Sequence, residues 1–271
     1  MTTTTTAEND VPDGRWFPNG TTFTPLIVAP REVALSGSLV MANLGGENDY
    51  GDRHAEAEAG VGYRTNVVRL LEGSTERLTI DLGFEVGIFS RFFLEKVRRD
   101  LIHADYRVGV PLSFAYQDWE GRFTVLHVSS HQGDDYLRRF ELTTTRTAQD
   151  GFELILARRV GPSVRFYGGG YAHFHTSGGI PNRGGYAGFE WDPEPAGHGT
   201  AVWPFVAAHL GAVKDHDHLA ATGAVGMAVR LGEIVMRWEV RGHNGPSPMG
   251  QRWDTTENFI GIGLRVTPPS W

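Results

Sequence analysis

Polar and apolar residues alternate along this chain with a period of two, over stretches longer than soluble strands usually reach. In the run Arg77 to Phe92, Leu78, Ile80, Leu82, Phe84, Val86 and Ile88 fall on one face, and Arg77, Thr79, Asp81, Gly83, Glu85 and Gly87 fall on the other. A helix would scatter both sets around its circumference, whereas a strand separates them completely. Tyr106, Val108, Val110, Leu112 and Phe114 repeat the pattern against Arg107, Gly109, Pro111, Ser113 and Ala115. So do Met236, Trp238 and Val240 against Arg237, Glu239 and Arg241, and Ile260, Ile262, Leu264 and Val266 against Gly261, Gly263 and Arg265.

The pattern predicts strands over 33–42, 55–69, 76–92, 104–116, 121–131, 139–158, 163–175, 183–191, 199–212, 217–230, 232–242 and 256–267. Short turns near 72–74, 118–121, 161–162 and 231–232 alternate with longer connections at 43–54, 92–103, 131–150 and 243–255. The segment 192–198 is the exception, longer than its place in that alternation predicts. The expected fold is therefore all-β: a single antiparallel transmembrane β-barrel of about 12 strands, with apolar residues toward lipid and polar residues toward the lumen. Residues 1–24, with the run Thr2 to Thr6, read as a flexible N-terminal tail, and residues 25–271 as the barrel. On this register Asp81, Glu85, Arg107, Arg237, Glu239, Arg241 and Arg265 face the lumen, where charges of both signs can pair and narrow the bore.

Composition sharpens this picture. Thirty-five Gly and 11% aromatics suit close-packed strands rather than helices. No run of 18 apolar residues exists, so no transmembrane helix is expected. A mean hydropathy of −0.27 is compatible with a barrel, because polar lumen positions offset apolar lipid-facing ones. There is no Cys, which excludes disulfides and thiolate chemistry. A net charge of −7 argues against a nucleic-acid partner. No signal-peptide core is visible in Met1 to Asn9.

Three sequence blocks carry a resemblance. They are Pro25-Leu26-Ile27-Val28-Ala29-Pro30-Arg31-Glu32, Ala104-Asp105-Tyr106-Arg107-Val108-Gly109-Val110-Pro111-Leu112, and His127-Val128-Ser129-Ser130-His131-Gln132-Gly133-Asp134-Asp135-Tyr136. With them the chain resembles, over about 25–267, a bacterial outer-membrane barrel family catalogued as a domain of unknown function. The resemblance implies fold and an outer-membrane location, and outer-membrane lipid as the surrounding partner. It implies no activity.

His127-Val128-Ser129 is the chemical candidate. Two residues apart on a strand, the imidazole and the hydroxyl share a face with Phe123 and Val125. A His beside a Ser is the minimum for an activated nucleophile. The pair is similar to the His-x-Ser pair that outer-membrane phospholipases and lipid A deacylases carry on the lipid side of their barrels. The resemblance implies an orienting residue fourteen positions after the His, which is Glu141 here. Alternatively these residues anchor the end of the strand through hydrogen bonds. His131, Asp134 and Asp135 form a candidate metal set, with Ca²⁺ as the ion for a carboxylate pair. Asp215-His216-Asp217-His218 is a second acidic and imidazole cluster, read first as a solvated turn. The functional readings are thus a structural barrel or occluded channel, a lipid-face esterase, and a subunit of an envelope assembly.

If the apolar faces meet lipid, the purified protein requires detergent, is rich in β-structure by circular dichroism, and migrates differently on gels before and after heating. A freely soluble monomer without detergent would overturn the barrel.

Overall fold

A computed structural model describes residues 15–18, 20–44, 54–72, 78–94, 100–139, 141, 147–197, 199–214 and 216–267. Thr2 to Thr6, Asp215 and the C-terminal 268–271 lie outside them. A two-residue strand, β1 (Arg15–Trp16), precedes twelve barrel strands. These are β2 (Leu35–Leu44), β3 (His54–Glu72), β4 (Thr79–Phe93), β5 (Asp100–Tyr116), β6 (Trp119–Gln132), β7 (Thr147–Val160), β8 (Val164–Thr176), β9 (Arg183–Trp191), β10 (Ala201–Val213), β11 (Ala220–Leu231), β12 (Ile234–Pro246) and β13 (Thr256–Thr267). Each pairs antiparallel with its neighbours, and β2 joins β13 to close the ring.

The alternation decides which way each side chain points. On β4, Asp81 and Glu85 are fully buried, while Phe84, Val86 and Ile88 are exposed outward. Only a closed sheet with lipid outside turns apolar residues out and charges in over this length. Arg107, Arg237, Glu239 and Arg265 are likewise buried inside, and Arg241 is half-buried beside Glu58. Short turns end the strands on one side; Gly232, at φ +63, supplies the left-handed position for the two-residue hairpin between β11 and β12. The connection 192–200 is long for that side because it folds across the barrel end. There Asp192 accepts a hydrogen bond from Arg237 at 2.6 Å and Glu194 one from Arg230 at 3.0 Å.

The N-terminal part departs from the sequence expectation. β1 and β2 share one edge of β3: Ser36 pairs with Gly60, and Trp16 pairs with Val68. Between them the chain leaves the wall and enters the lumen, so the strand expected from 33 starts at Leu35, and residues 20–34 form an internal plug rather than tail or wall. Gly62 permits the entry, since a Cβ there would meet Val33 Cγ1 at 2.7 Å. Leu26 and Phe23 pack on Ile155, Ala157 and Tyr167, and Ile27 and Val28 pack on Trp203, Phe205 and Ala228. The plug's polar groups are tied as firmly. Thr22 donates to Asp81, Thr24 N to Glu120 at 2.9 Å, and Ile27 N to Glu190 at 2.7 Å. Glu32 accepts two hydrogen bonds from Arg122 and one from Arg64, all at 2.8 Å. Burial pushes the Glu32 carboxyl up, but the two guanidinium groups outweigh it and hold the group well below the usual carboxylate range. The expected strand 139–158 is shorter than its pattern suggests. A helix, α1 (Asp134–Arg139), takes up the start of the connection, and the strand begins at Thr147.

Replacing one member of a buried ion network strands its partners at a cost of about 3–5 kcal/mol. Glu32→Gln is therefore expected to lower the heating midpoint of the gel-mobility shift markedly. An unchanged midpoint would mean that the plug does not brace the wall.

Candidate functional site

The outward face near the long-loop end of β6 carries the polar constellation. Arg122, Thr124, Leu126, Val128 and Ser130 are buried toward the lumen, so Phe123, Val125, His127 and Ser129 point out. Register then brings β7 into the site, because His127 lies directly opposite Asp150 and Ser129 opposite Ala148. His127 Nδ1 and Asp150 Oδ1 are 2.7 Å apart, with the side chains 44% and 36% exposed. With the carboxylate as acceptor, this contact places the proton on Nδ1 and leaves Nε2 as a base. Ser129 follows at about 6.6 Å along the strand, the spacing of two residues. No hydrogen bond joins it to His127 among the described residues. Tyr106 of β5 stands opposite Ser129, and its ring meets the edge of His131 at 5.6 Å.

A β-bulge brings in a second imidazole. Gly151 pairs with His173 and Asp150 with His175, so Phe174 is the extra residue. His173 faces the lumen, and regular alternation would turn His175 the same way. The bulge instead turns His175 outward, where its Nδ1 lies 3.2 Å from Asp150 Oδ2. Asp150 thus bridges two imidazoles on a face otherwise given to apolar side chains. Beside it, toward the short-turn end, Phe123 stacks on Phe152 at 5.6 Å and Phe152 leans on Phe174 at 5.4 Å. These rings form an apolar shelf across β6, β7 and β8.

The structure brings together only part of the set expected from sequence. His127 and Ser129 share the face, but Glu141 lies in the turn after α1, exposed, with φ at 52° and no contact to the imidazole. The carboxylate that meets the imidazole is that of Asp150. Asp134 and Asp135 occupy the first turn of α1 and pair with Arg138 at 4.0 and 3.6 Å. They do not converge with His131, and among the described residues no group of three His, Asp or Glu side chains could hold a metal ion. The residues do not fit a Ca²⁺ site.

A family model described as protein of unknown function (DUF1207) matches residues 2–267. No curated protein matches the sequence. Among solved structures, the chain is similar to the Salmonella typhi outer membrane phospholipase dimer with bound calcium, at 11% identity and a TM-score of 0.57, covering 92% of this chain and 95% of that one. It is also similar to outer membrane phospholipase A from Escherichia coli, at 9% identity and a TM-score of 0.58, covering 89% and 94%. LpxR from Salmonella typhimurium matches at 11% identity over 85% of this chain and 99% of that one, with a TM-score of 0.39. At these identities the likeness is one of fold: the chain is a barrel of the outer-membrane type.

A carboxylate on a lipid face costs stability that an apolar side chain would not. Asp150→Leu is therefore expected to add on the order of 1 kcal/mol of stability and so to raise the heating midpoint, the mark of a group kept for chemistry rather than stability. A lowered midpoint would make the His127–Asp150 pair a structural clamp.

Proposed function

The chain belongs to the family described as protein of unknown function (DUF1207), and we propose that it is a serine-dependent lipid esterase of the bacterial outer membrane. Ser129 is the nucleophile, His127 the general base, and Asp150 the group that orients the imidazole. The observation that carries this reading is the 2.7 Å contact between His127 Nδ1 and Asp150 Oδ1 on the same outward face as Ser129.

The chemistry follows from that contact. Asp150 holds the Nδ1–H tautomer and favours the imidazolium that forms when Nε2 takes a proton. The Ser129 hydroxyl loses that proton as its oxygen bonds to an ester carbonyl carbon. Collapse of the adduct breaks the bond to the alcohol, which leaves with the proton from His127. Water then enters by the same route in reverse and frees the fatty acid from Ser129. The side chains must close on one another for the first step, and such contacts often tighten only when substrate is bound.

Depth supports a lipid substrate. Ser129 lies three residues before the end of β6, about 10 Å below the long-loop rim. In an outer-membrane barrel the long loops are extracellular, so this is the level at which the ester bonds of outer-leaflet lipids sit. The shelf of Phe123, Phe152 and Phe174 extends from the pair toward the membrane middle and offers a surface for an acyl chain. A second reading, a non-enzymatic occluded barrel, is favoured by the plug inside the lumen.

The test is fatty-acid release from phosphatidylethanolamine, and separately from lipid A, in detergent micelles. Wild-type protein is expected to release fatty acid with or without chelator. Ser129→Ala is expected to abolish release, and Asp150→Asn to slow it at least about a hundredfold, both with wild-type gel mobility. No release by the wild type, or full release by Ser129→Ala, leaves the occluded barrel as the function.

A further inference from the structure

On the long-loop side of the plug the lumen holds a cavity of about 200 Å³, floored by Leu26 and Ala29 to Glu32. It lies on the opposite side of the wall from Asp150: along β7, Gln149 faces the cavity while its neighbour Asp150 faces out. The rings of Tyr171, Tyr186 and Trp253 line it. Trp253 belongs to the connection between β12 and β13 and reaches across to the connection between β8 and β9, where a Cβ on Gly179 would lie 4.0 Å from its ring.

The charges that border this cavity are already committed. Arg31 pairs with Asp105 at 2.6 Å. Glu153 accepts from Arg107 at 2.7 Å with one oxygen and from the Tyr186 hydroxyl at 2.9 Å with the other. Neutral groups are left over. The Gln149 side chain and the Tyr171 hydroxyl have no protein hydrogen-bond partner among the described residues. His209 spends Nδ1 on the Tyr167 hydroxyl at 3.0 Å, and its Nε2 has no hydrogen-bond partner among the described residues.

We propose that this cavity binds a neutral sugar ring. A pyranose has faces of C–H groups that pack on aromatic rings and a rim of hydroxyls that both donate and accept. Gln149, Tyr171 and His209 offer donors and acceptors of matching kind without net charge. An anion would have to compete with Asp105 for Arg31 and with Glu85 and Glu153 for Arg107. A cation would find no free carboxylate. An acyl chain would leave the amide, the hydroxyl and the imidazole desolvated and unpaired, each at a cost of about 1–3 kcal/mol. A sugar meets none of these penalties, whether it arrives free or as part of an envelope glycan.

Calorimetric titration of the detergent-solubilised full chain separates the outcomes. The probes are glucose, galactose and N-acetylglucosamine as free sugars, lipopolysaccharide core oligosaccharide as the glycan source, and phosphate and acetate as anions. Saturable binding of at least one sugar probe and none of either anion is expected. Monosaccharide binding points to a free sugar, and binding of the oligosaccharide alone points to the glycan; both support the site. Trp253→Ala is expected to weaken binding at least about tenfold. Gln149→Ala and Tyr171→Phe, which remove little packing, are expected to weaken it severalfold with wild-type gel mobility. No binding of any sugar, binding of phosphate or acetate, or sugar binding indifferent to Gln149→Ala and Tyr171→Phe overturns the proposal.

Discussion

Glu32 sits where the interior of the barrel is decided. Its carboxylate joins Arg122 and Arg64; Arg64 joins Glu85; Glu85 joins Arg107; and Arg107 joins Glu153. The chain of pairs runs from the plug across β3, β4, β5, β6 and β7 without leaving a charge alone. A buried ion needs a counter-ion and hydrogen bonds, or its desolvation exceeds what packing returns. The plug supplies the carboxylate that balances Arg122, a guanidinium among the most deeply buried side chains of the molecule. The wall in turn supplies the donors that let an irregular segment lie inside a barrel. Each half is therefore conditional on the other. The same network ends at Glu153, on the cavity wall, so the floor and the side of that cavity are positioned by one set of pairs.

The wall and its facing are written plainly in the alternation, because a strand's period is two and one slip inverts every position. Asp81 and Glu85 can only face inward if Phe84 and Val86 face outward. The plug was hidden for a related reason. Pro25-Leu26-Ile27-Val28-Ala29 is a short apolar run, and such a run reads as the start of a strand whether it lines lipid or fills a lumen. What distinguishes the two is the set of partners, and those come from β7 to β11, far along the chain. Glu32, next to that run, is the only local sign that the segment needs buried cations.

The outward site shows the same division. His127 and Ser129 lie two apart, so their shared face follows from strand geometry alone. The carboxylate beside them depends on register with the next strand, and register depends on how much chain the connection absorbs. α1 consumes Asp134 to Arg139, with its acidic first turn and Arg138 one turn on, and so moves the carboxylate opposite His127 from Glu141 to Asp150. His175 is further removed still, because a bulge of one residue sets its direction, and period-two counting assigns it to the wrong side.

The interruption between β1 and β2 bears on how the molecule is made. The seam that completes the ring, β2 against β13, joins strands from opposite ends of the chain through ten residue pairs. The plug is tethered to the start of β2, and its side chains lodge between strands from all around the ring. Once that seam is zipped, threading residues 20–34 inward would mean drawing a charged segment through a wall of paired backbone. The closed sheet encloses the segment on every side, and the paired seam holds it there. Residues 20–34 are therefore a captive segment: in the closed barrel they can leave only if the wall opens or the chain is drawn out past an end of the cylinder.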